Sequence, residues 1–317
     1  MQTVRLGRTN QEVSVAGLGC GGASRLGMAR GASTEEAANI VRHALDLGIT
    51  FVDTARAYGT EEAVGQGVKG RREGVFISTK ANAVKGGFGG GPEMMSAEEM
   101  GECVDLSLRR LGTDYIDLFN LHGVRLDQYA HCIEVLVPEL KRQQAAGKIR
   151  FLGVTEQFGR ETRHEMLATA VPDAHFDVVM VGFNLLNPSA RRSVFPLTLK
   201  HDVGTLIMFA VRRALSNPDA LIEVVDRLIS SGELAQGALD RKNPLGFVAA
   251  HPEVKSLVEA SYRFCRYEPG ANVILTGTGS AAHLTENVAS ILAPPLPAEL
   301  SARLESLFGQ VESVSGN

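Results

Sequence analysis

Short apolar runs recur along the chain with amphipathic stretches between them. Eight runs have the length and β-branched content of strands: Val13 to Leu18, Thr50 to Asp53, Gly74 to Thr79, Tyr115 to Leu121, Ile149 to Val154, Phe176 to Val181, Thr205 to Met208 and Asn272 to Leu275. Several, such as VFIS, FDVVMV and TLIMF, are almost wholly apolar. Strands read this way when both faces are covered, as in a parallel sheet flanked by helices.

The intervening stretches carry helix punctuation. Ser33 with Glu36, and Ser96 with Glu99, have the spacing of capping boxes. Helices are predicted over Thr34 to Leu47, Ala97 to Leu111 and Gln128 to Ala146, each closing near a glycine, Gly48, Gly112 and Gly147. Strand and helix alternate over the whole length without a Pro/Ser-rich linker. Residues 1–317 therefore read as one domain, and eight such units close naturally into a (β/α)8 TIM barrel, the alternative being an open doubly wound sheet.

Two stretches break the rhythm. VKGGFGGGP, Val84 to Pro92, contains five glycines and is expected to be a mobile loop at the C-terminal end of the third strand. A long, partly helical insertion runs from about Phe209 to Ala271, between the seventh and eighth strands. Loops at that end of a barrel build active sites.

Composition narrows the function. The 317 residues are 44% hydrophobic and 21% charged, with a net charge of −4. Such a surface lacks the basic face that nucleic acid or an anionic membrane requires, so the expected partner is a small molecule. The N-terminal MQTVRLGRTNQEVS has no apolar secretory run and no stretch reaches 18 apolar residues, which leads to the expectation of a soluble, cytoplasmic protein. Cys20, Cys103, Cys132 and Cys265 are scattered, without metal-ligand spacing, and read as reduced, buried thiols.

Candidate chemistry gathers at strand ends. Asp53 and Tyr58 follow the second strand, Lys80 the third and His122 the fourth. In a barrel those ends share one mouth, so residues 22 and 42 positions apart (80 − 58, 122 − 80) can meet. Alone, each is commonly a cap, a loop anchor or a solvated side chain. Together they form a proton-transfer set. An ammonium beside a phenol favours the phenolate and is expected to lower the Tyr58 pKa, Asp53 can hold Lys80 charged, and His122 can orient a carbonyl.

FVDTARAYG (Phe51 to Gly59), VFISTK (Val75 to Lys80) and YIDLFNLH (Tyr115 to His122) resemble the three signature segments of the aldo-keto reductases. That family's catalytic tetrad is Asp, Tyr, Lys and His, and all four positions are filled. VRLGRTNQEVSVAGLGCGG resembles the family's N-terminal β-hairpin cap and first strand, and LTGTGSAAHLTENVASI its segment for the adenosine phosphate of the cofactor. The resemblance implies a reversible NADP(H)-dependent oxidoreductase, with NAD(H) as the alternative cofactor, acting on small aldehydes, ketones, sugars or alcohols with Tyr58 as general acid/base.

Carried over residue by residue, the resemblance places cofactor contacts at Gly22, Thr155, Glu156, Asn184, Phe209, Arg212, Arg213, Gly277, Thr278, Gly279, Ser280, His283 and Asn287. The chain departs from the family at Glu156, where the Ser-Asn pair would place an amide, and at Met180, where a glutamine is usual. A thioether cannot replace that amide's hydrogen bonds. Asn184 reads equally well as a loop anchor. No Lys or Arg accompanies GTGS to pair with a 2′-phosphate, only His283 nearby. Two other functions compete: a cofactor-binding sensor or scaffold with little turnover, which the intact tetrad disfavours, and a metal-dependent hydrolase using Asp53 and His122, which lacks an HxH or other close ligand cluster.

Overall fold

The computed structural model describes residues 1–87 and 91–317. Among these, strands β1 (Thr3–Arg5) and β2 (Glu12–Ser14) pair antiparallel as a hairpin. Eight further strands follow: β3 (Ala16–Gly19), β4 (Phe51–Asp53), β5 (Phe76–Asn82), β6 (Ile116–Val124), β7 (Ile149–Glu156), β8 (Val178–Gly182), β9 (Gly204–Met208) and β10 (Val273–Thr276). They pair in parallel in chain order, and β10 closes on β3. The sheet is therefore a closed (β/α)8 barrel, and the open doubly wound alternative is excluded.

Each expected strand is present, with one correction. The run from Val13 to Leu18 is divided, its first residues completing the hairpin and its last entering the barrel. Both capping boxes form, each Ser hydroxyl accepting a Glu backbone N–H at 3.2 Å while the Glu carboxylate accepts the Ser N–H at 2.7 Å. The helix expected over Gln128 to Ala146 is three segments, Leu126–His131, a wide π turn at Cys132–Leu136, and Val137–Ala145. Pro138 explains the break, since it has no N–H to continue the regular ladder. Four short helices, Arg213–Ser216, Pro218–Ser230, Gly246–Ala249 and Leu257–Arg266, occupy the insertion.

The barrel lumen changes character along its axis. At the bottom, Phe51, Phe76, Leu118, Val178, Leu206 and Val273 pack with Leu6 and Val13 of the hairpin region. Phe51 and Phe76 stack at 5.2 Å. The hairpin is fastened by Arg5, whose guanidinium meets Asp202 at 2.7 Å, and by the Arg8 amide on the Asp202 carbonyl. Higher up the same inward positions become polar: Asp53, Ser78, Lys80, Asn120, His122 and Thr155, all buried. Strand alternation produces this switch, because residues two apart share a face. An apolar floor beneath a polar mouth confines the chemistry to one end.

Of the glycine-rich loop at Val84 to Pro92, residues 88–90 lie outside the described residues. Its flanks are held together: Val84 bridges Met94, and the Lys85 ammonium lies 2.6 Å from Glu93 and 2.9 Å from Glu99.

Candidate active site

The Lys80 side chain is fully buried in the lumen, where its ammonium donates to both oxygens of Asp53, at 2.6 and 2.7 Å, and to the Thr54 carbonyl at 2.9 Å. Three acceptors satisfy its three N–H groups. Burial alone would lower the Lys80 pKa, but the charge of Asp53, the neighbouring Tyr58 and the Asp53 hydrogen bonds reverse that, and the net shift is upward. Lys80 thus stays an ammonium at neutral pH, 5.2 Å from the centre of the Tyr58 ring.

Tyr58 stands on a short turn, Arg56–Tyr58, directly after β4. Its hydroxyl is 3.4 Å from His122 Nε2, and the two rings meet edge to face with centroids 5.4 Å apart. The sequence led us to expect a lowered phenol pKa. The structure gives the opposite net direction: burial raises it first, the Lys80 charge pulls it down, and Asp53 and Cys20 push it back up. Burial, aided by Asp53 and Cys20, outweighs the ammonium, so Tyr58 rests as a neutral phenol. The His122 pKa is driven well below its ordinary value by burial and then by the Lys80 charge, so its imidazole is neutral.

His122 owes its position to an irregularity in β6. The register against β7 shifts between Leu121 and Val124, and Gly123 at the shift has φ +62°, open to glycine at little cost. The freed Gly123 N–H donates to the Thr155 hydroxyl at 2.7 Å, tying β7 to the bulge. Beneath the tetrad, Asn120 donates to the Ser78 hydroxyl at 3.0 Å and Ser78 donates to Asp53 at 2.9 Å. These two supports were not singled out from the sequence, although Ser78 lies two residues before Lys80 and Asn120 two before His122, the spacing that puts them on the same inward face.

The residues expected to hold a cofactor divide into two groups. Thr155 is buried with its hydroxyl on the Gly123 N–H, and Phe209, at φ +68° after β9, stacks under the Arg212 guanidinium at 4.1 Å. Arg212 also donates to the Asn317 side chain at 2.8 Å. An alanine-like Cβ built at Gly22 would lie 3.9 Å from an Arg212 nitrogen, so that backbone and this guanidinium share one corner of the mouth. Gly277 to Ser280 connect β10 to the helix Ala281–Leu292, with Ser280 as its cap accepting the His283 N–H. Thr278 accepts the Ser280 N–H at 3.1 Å, Gly279 packs against Gly27, and His283 is exposed in the first helical turn. Asn287 reaches back to the Thr276 hydroxyl at 2.9 Å.

The other group is turned toward protein. Glu156 is one position out of phase with Thr155 and points out of the lumen. Its carboxylate accepts from the His164 ring at 2.9 Å and from the Gly182 N–H at 2.7 Å, with both side chains fully buried. Asn184 is the loop anchor, its carbonyl oxygen accepting the Leu186 and Asn187 amides and its NH2 donating to the Ser315 carbonyl. Arg213 is exposed and 3.7 Å from Glu223. Met180 belongs to the apolar lumen cluster.

The model of the Aldo/keto reductase family matches residues 18–308. The chain belongs to the aldo/keto reductase family. An aldo-keto reductase from Bacillus halodurans in its holo form superposes with a TM-score of 0.74 at 25% identity, covering 99% of this chain and 98% of that one. L-galactose dehydrogenase of Arabidopsis thaliana is 28% identical over 314 residues, covering 90% of this chain and 86% of the relative. An uncharacterized oxidoreductase of Bacillus subtilis, YqkF, is 28% identical over 311 residues, 96% of each chain. Membership implies nicotinamide-dependent oxidoreductase chemistry on small carbonyl compounds.

In this aldo/keto reductase the segment just after β3 approaches Tyr58 so closely that a side chain is forbidden there. A Cβ at Gly21 would sit 2.5 Å from the Tyr58 ring. Gly21→Ala is expected to displace the phenol from His122 and lower turnover about tenfold or more, since misplacing a reacting group by about 1 Å can cost about a hundredfold. Steady-state rates beside circular dichroism spectra check this; unchanged turnover in a folded variant would show that the Tyr58 position is not set by Gly21.

Proposed function

We propose that the protein is an NADP(H)-dependent oxidoreductase of small aldehydes, ketones, sugars or alcohols, with NAD(H) as second choice, in which Tyr58 is the proton donor in reduction and the acceptor in oxidation. The observation that carries this reading is the tetrad itself: Lys80 locked on Asp53 and a neutral Tyr58 3.4 Å from a neutral His122, all at one barrel mouth. When bound, the nicotinamide exchanges hydride with the carbonyl carbon.

The residues at the mouth suit such a cofactor. Arg212 is half-buried without a carboxylate partner among the described residues, and that burial holds its guanidinium below its ordinary pKa. A half-buried cation of this kind is suited to an anion such as a pyrophosphate. Phe209 offers a flat apolar face for the ring and Thr155 a hydroxyl for its carboxamide. The amides at the start of the helix Ala281–Leu292, with Ser280, His283 and Asn287, suit the adenosine phosphates. Glu156 and Asn184 act as supports of the β7 and β8 loops, and Gly22 leaves room beside Arg212.

During reduction the substrate oxygen sits between Tyr58 and His122. His122, being neutral, orients that oxygen through a hydrogen bond, and Tyr58 transfers its proton to it as charge develops. The fixed Lys80 ammonium stabilises the resulting phenolate until solvent reprotonates it. In oxidation the same phenol oxygen receives the alcohol proton. The four cysteines are unpaired and buried, which corresponds to a reducing, cytoplasmic setting.

Fluorescence titration with NADPH and NADH, followed by a carbonyl panel, tests the reading. NADPH should bind more tightly, and Arg212→Ala should weaken it about tenfold, the loss of one charge-assisted contact. Failure of both cofactors to bind would overturn the proposal.

A further inference from the structure

Three rings, His164 and Phe158 after β7 and Phe209 after β9, form a continuous column of contacts. The Phe158 ring lies nearly parallel to the His164 ring, 14° apart in plane with centroids at 5.2 Å, and meets Phe209 edge to face at 5.5 Å. Resting on the oxidoreductase reading above, we infer that His164 and Phe158 are positioning residues for the cofactor: they fix Phe209 as the flat face against which the nicotinamide lies.

The far end of the column is rigid. His164 Nδ1 meets both oxygens of Glu156 at 2.9 Å and Nε2 meets the Ser189 hydroxyl at 3.0 Å, so the ring is held from two edges, with all three side chains buried. The order Ser, His, Glu is that of a hydrolytic triad, but the Ser189 O–H is spent on the Asn187 side-chain oxygen at 2.6 Å and offers no nucleophile. What the array does is orient a ring. Phe158, itself buried, packs so closely on Gly182 that a Cβ there would overlap it, and the Gly182 N–H donates to Glu156 at 2.7 Å. The end of β8 thus supports both the ring and the carboxylate.

Backbone conformation marks both ends of the column. His164 has φ +64° and Phe209 φ +68°. The left-handed region is costly for a bulky side chain and persists only where surrounding contacts over-determine it. At Phe209 those contacts are Phe158 and the Arg212 guanidinium, 4.1 Å from the ring centre. Phe209 is nevertheless only half-buried and retains surface for a ligand. Glu156 is engaged with His164 and Gly182, and Met180 is apolar, so neither can hold a carboxamide. The placement of a nicotinamide therefore leans more heavily on stacking, and on whatever keeps the stacking ring still.

The test uses the full-length protein, titrated by fluorescence with NADPH or NADH, whichever binds more tightly, and by competition with the matching nucleotide that lacks a nicotinamide, adenosine 2′,5′-bisphosphate or ADP-ribose. Phe158→Leu should weaken the reduced cofactor about three- to tenfold, the worth of one edge-to-face aromatic contact, and leave the nicotinamide-free nucleotide within about twofold. His164→Asn, which tolerates the left-handed backbone but cannot stack on Phe158, should do the same. In a Phe209→Leu protein neither substitution should weaken the cofactor further, because both act through the missing ring. Unchanged cofactor affinity in either folded variant, equal weakening of both ligands, or losses that add to that of Phe209→Leu would overturn the inference. Failure of the native protein to bind either reduced cofactor would instead bring down the oxidoreductase reading beneath it.

Discussion

Tyr58→Phe is expected to reduce turnover by about a thousandfold in both directions, within the range that a positioned general acid contributes, while leaving the NADPH Kd within about twofold. The size of the loss follows from the lack of a substitute proton donor. In the proposed mechanism His122 is the other group at the reacting oxygen, but burial and the Lys80 charge hold it neutral, and a neutral imidazole is a far weaker acid than its cation. Lys80 has committed its ammonium to Asp53 and the Thr54 carbonyl, 5.2 Å from the Tyr58 ring centre. The direction of the Tyr58 shift also sets the pH profile. A phenol with a pKa above its ordinary value near 10 stays protonated throughout the neutral range, so the reductive rate should be flat there and fall only on the alkaline side. Stopped-flow measurement of cofactor oxidation checks both statements. A variant that keeps more than about a tenth of the rate would remove Tyr58 from its role.

The architecture was readable because its signals are local and repeat. Apolar runs such as VFIS and FDVVMV, spaced by capped amphipathic stretches, fix eight βα units, and Ser33 and Ser96 made the caps that their spacing predicts. The meeting of the four candidate residues could be expected for a different reason: Asp53, Lys80 and His122 lie on inward phases near the C-terminal ends of β4, β5 and β6, and closure of the barrel brings those ends together whatever their separation in sequence. Where the surroundings differ from those expected, side-chain direction or electrostatic balance is the reason. Glu156 and Thr155 are neighbours in sequence, yet strand alternation sends one out to His164 and the other into the lumen. His164 reaches Glu156 from a left-handed backbone position at φ +64°, a conformation that nothing in its neighbours announces. The sign of the Tyr58 shift depended on opposing contributions whose sum needs burial and distance, quantities absent from a string of letters. Arg212 became informative only when its lack of a carboxylate and its contact with Asn317, 105 positions away, were visible.

Asp53→Asn should be the most damaging substitution for stability, costing about 3–5 kcal/mol, the usual result of removing one partner from a buried ion pair. Lys80 has no measurable exposure, and Asn cannot return the negative charge that offsets its desolvation. The pH dependence separates this mechanism from simple loss of packing. In the native protein Lys80 has a pKa above its ordinary 10.5, so its contribution is fully present below that value and is lost as pH rises through the higher folded value. Without Asp53, burial becomes the dominant influence on Lys80 and drives its pKa downward. The unfolded chain then binds a proton that the folded one does not, and stability must increase with pH between the lowered value and 10.5. Urea unfolding at pH 7 and pH 9 should accordingly show a variant that gains stability on alkalinisation while the native protein shows no such gain from this group. Parallel pH profiles, displaced by a constant amount, would mean that the carboxylate supports Lys80 by shape and hydrogen bonding and that its charge is not what keeps the ammonium beneath Tyr58.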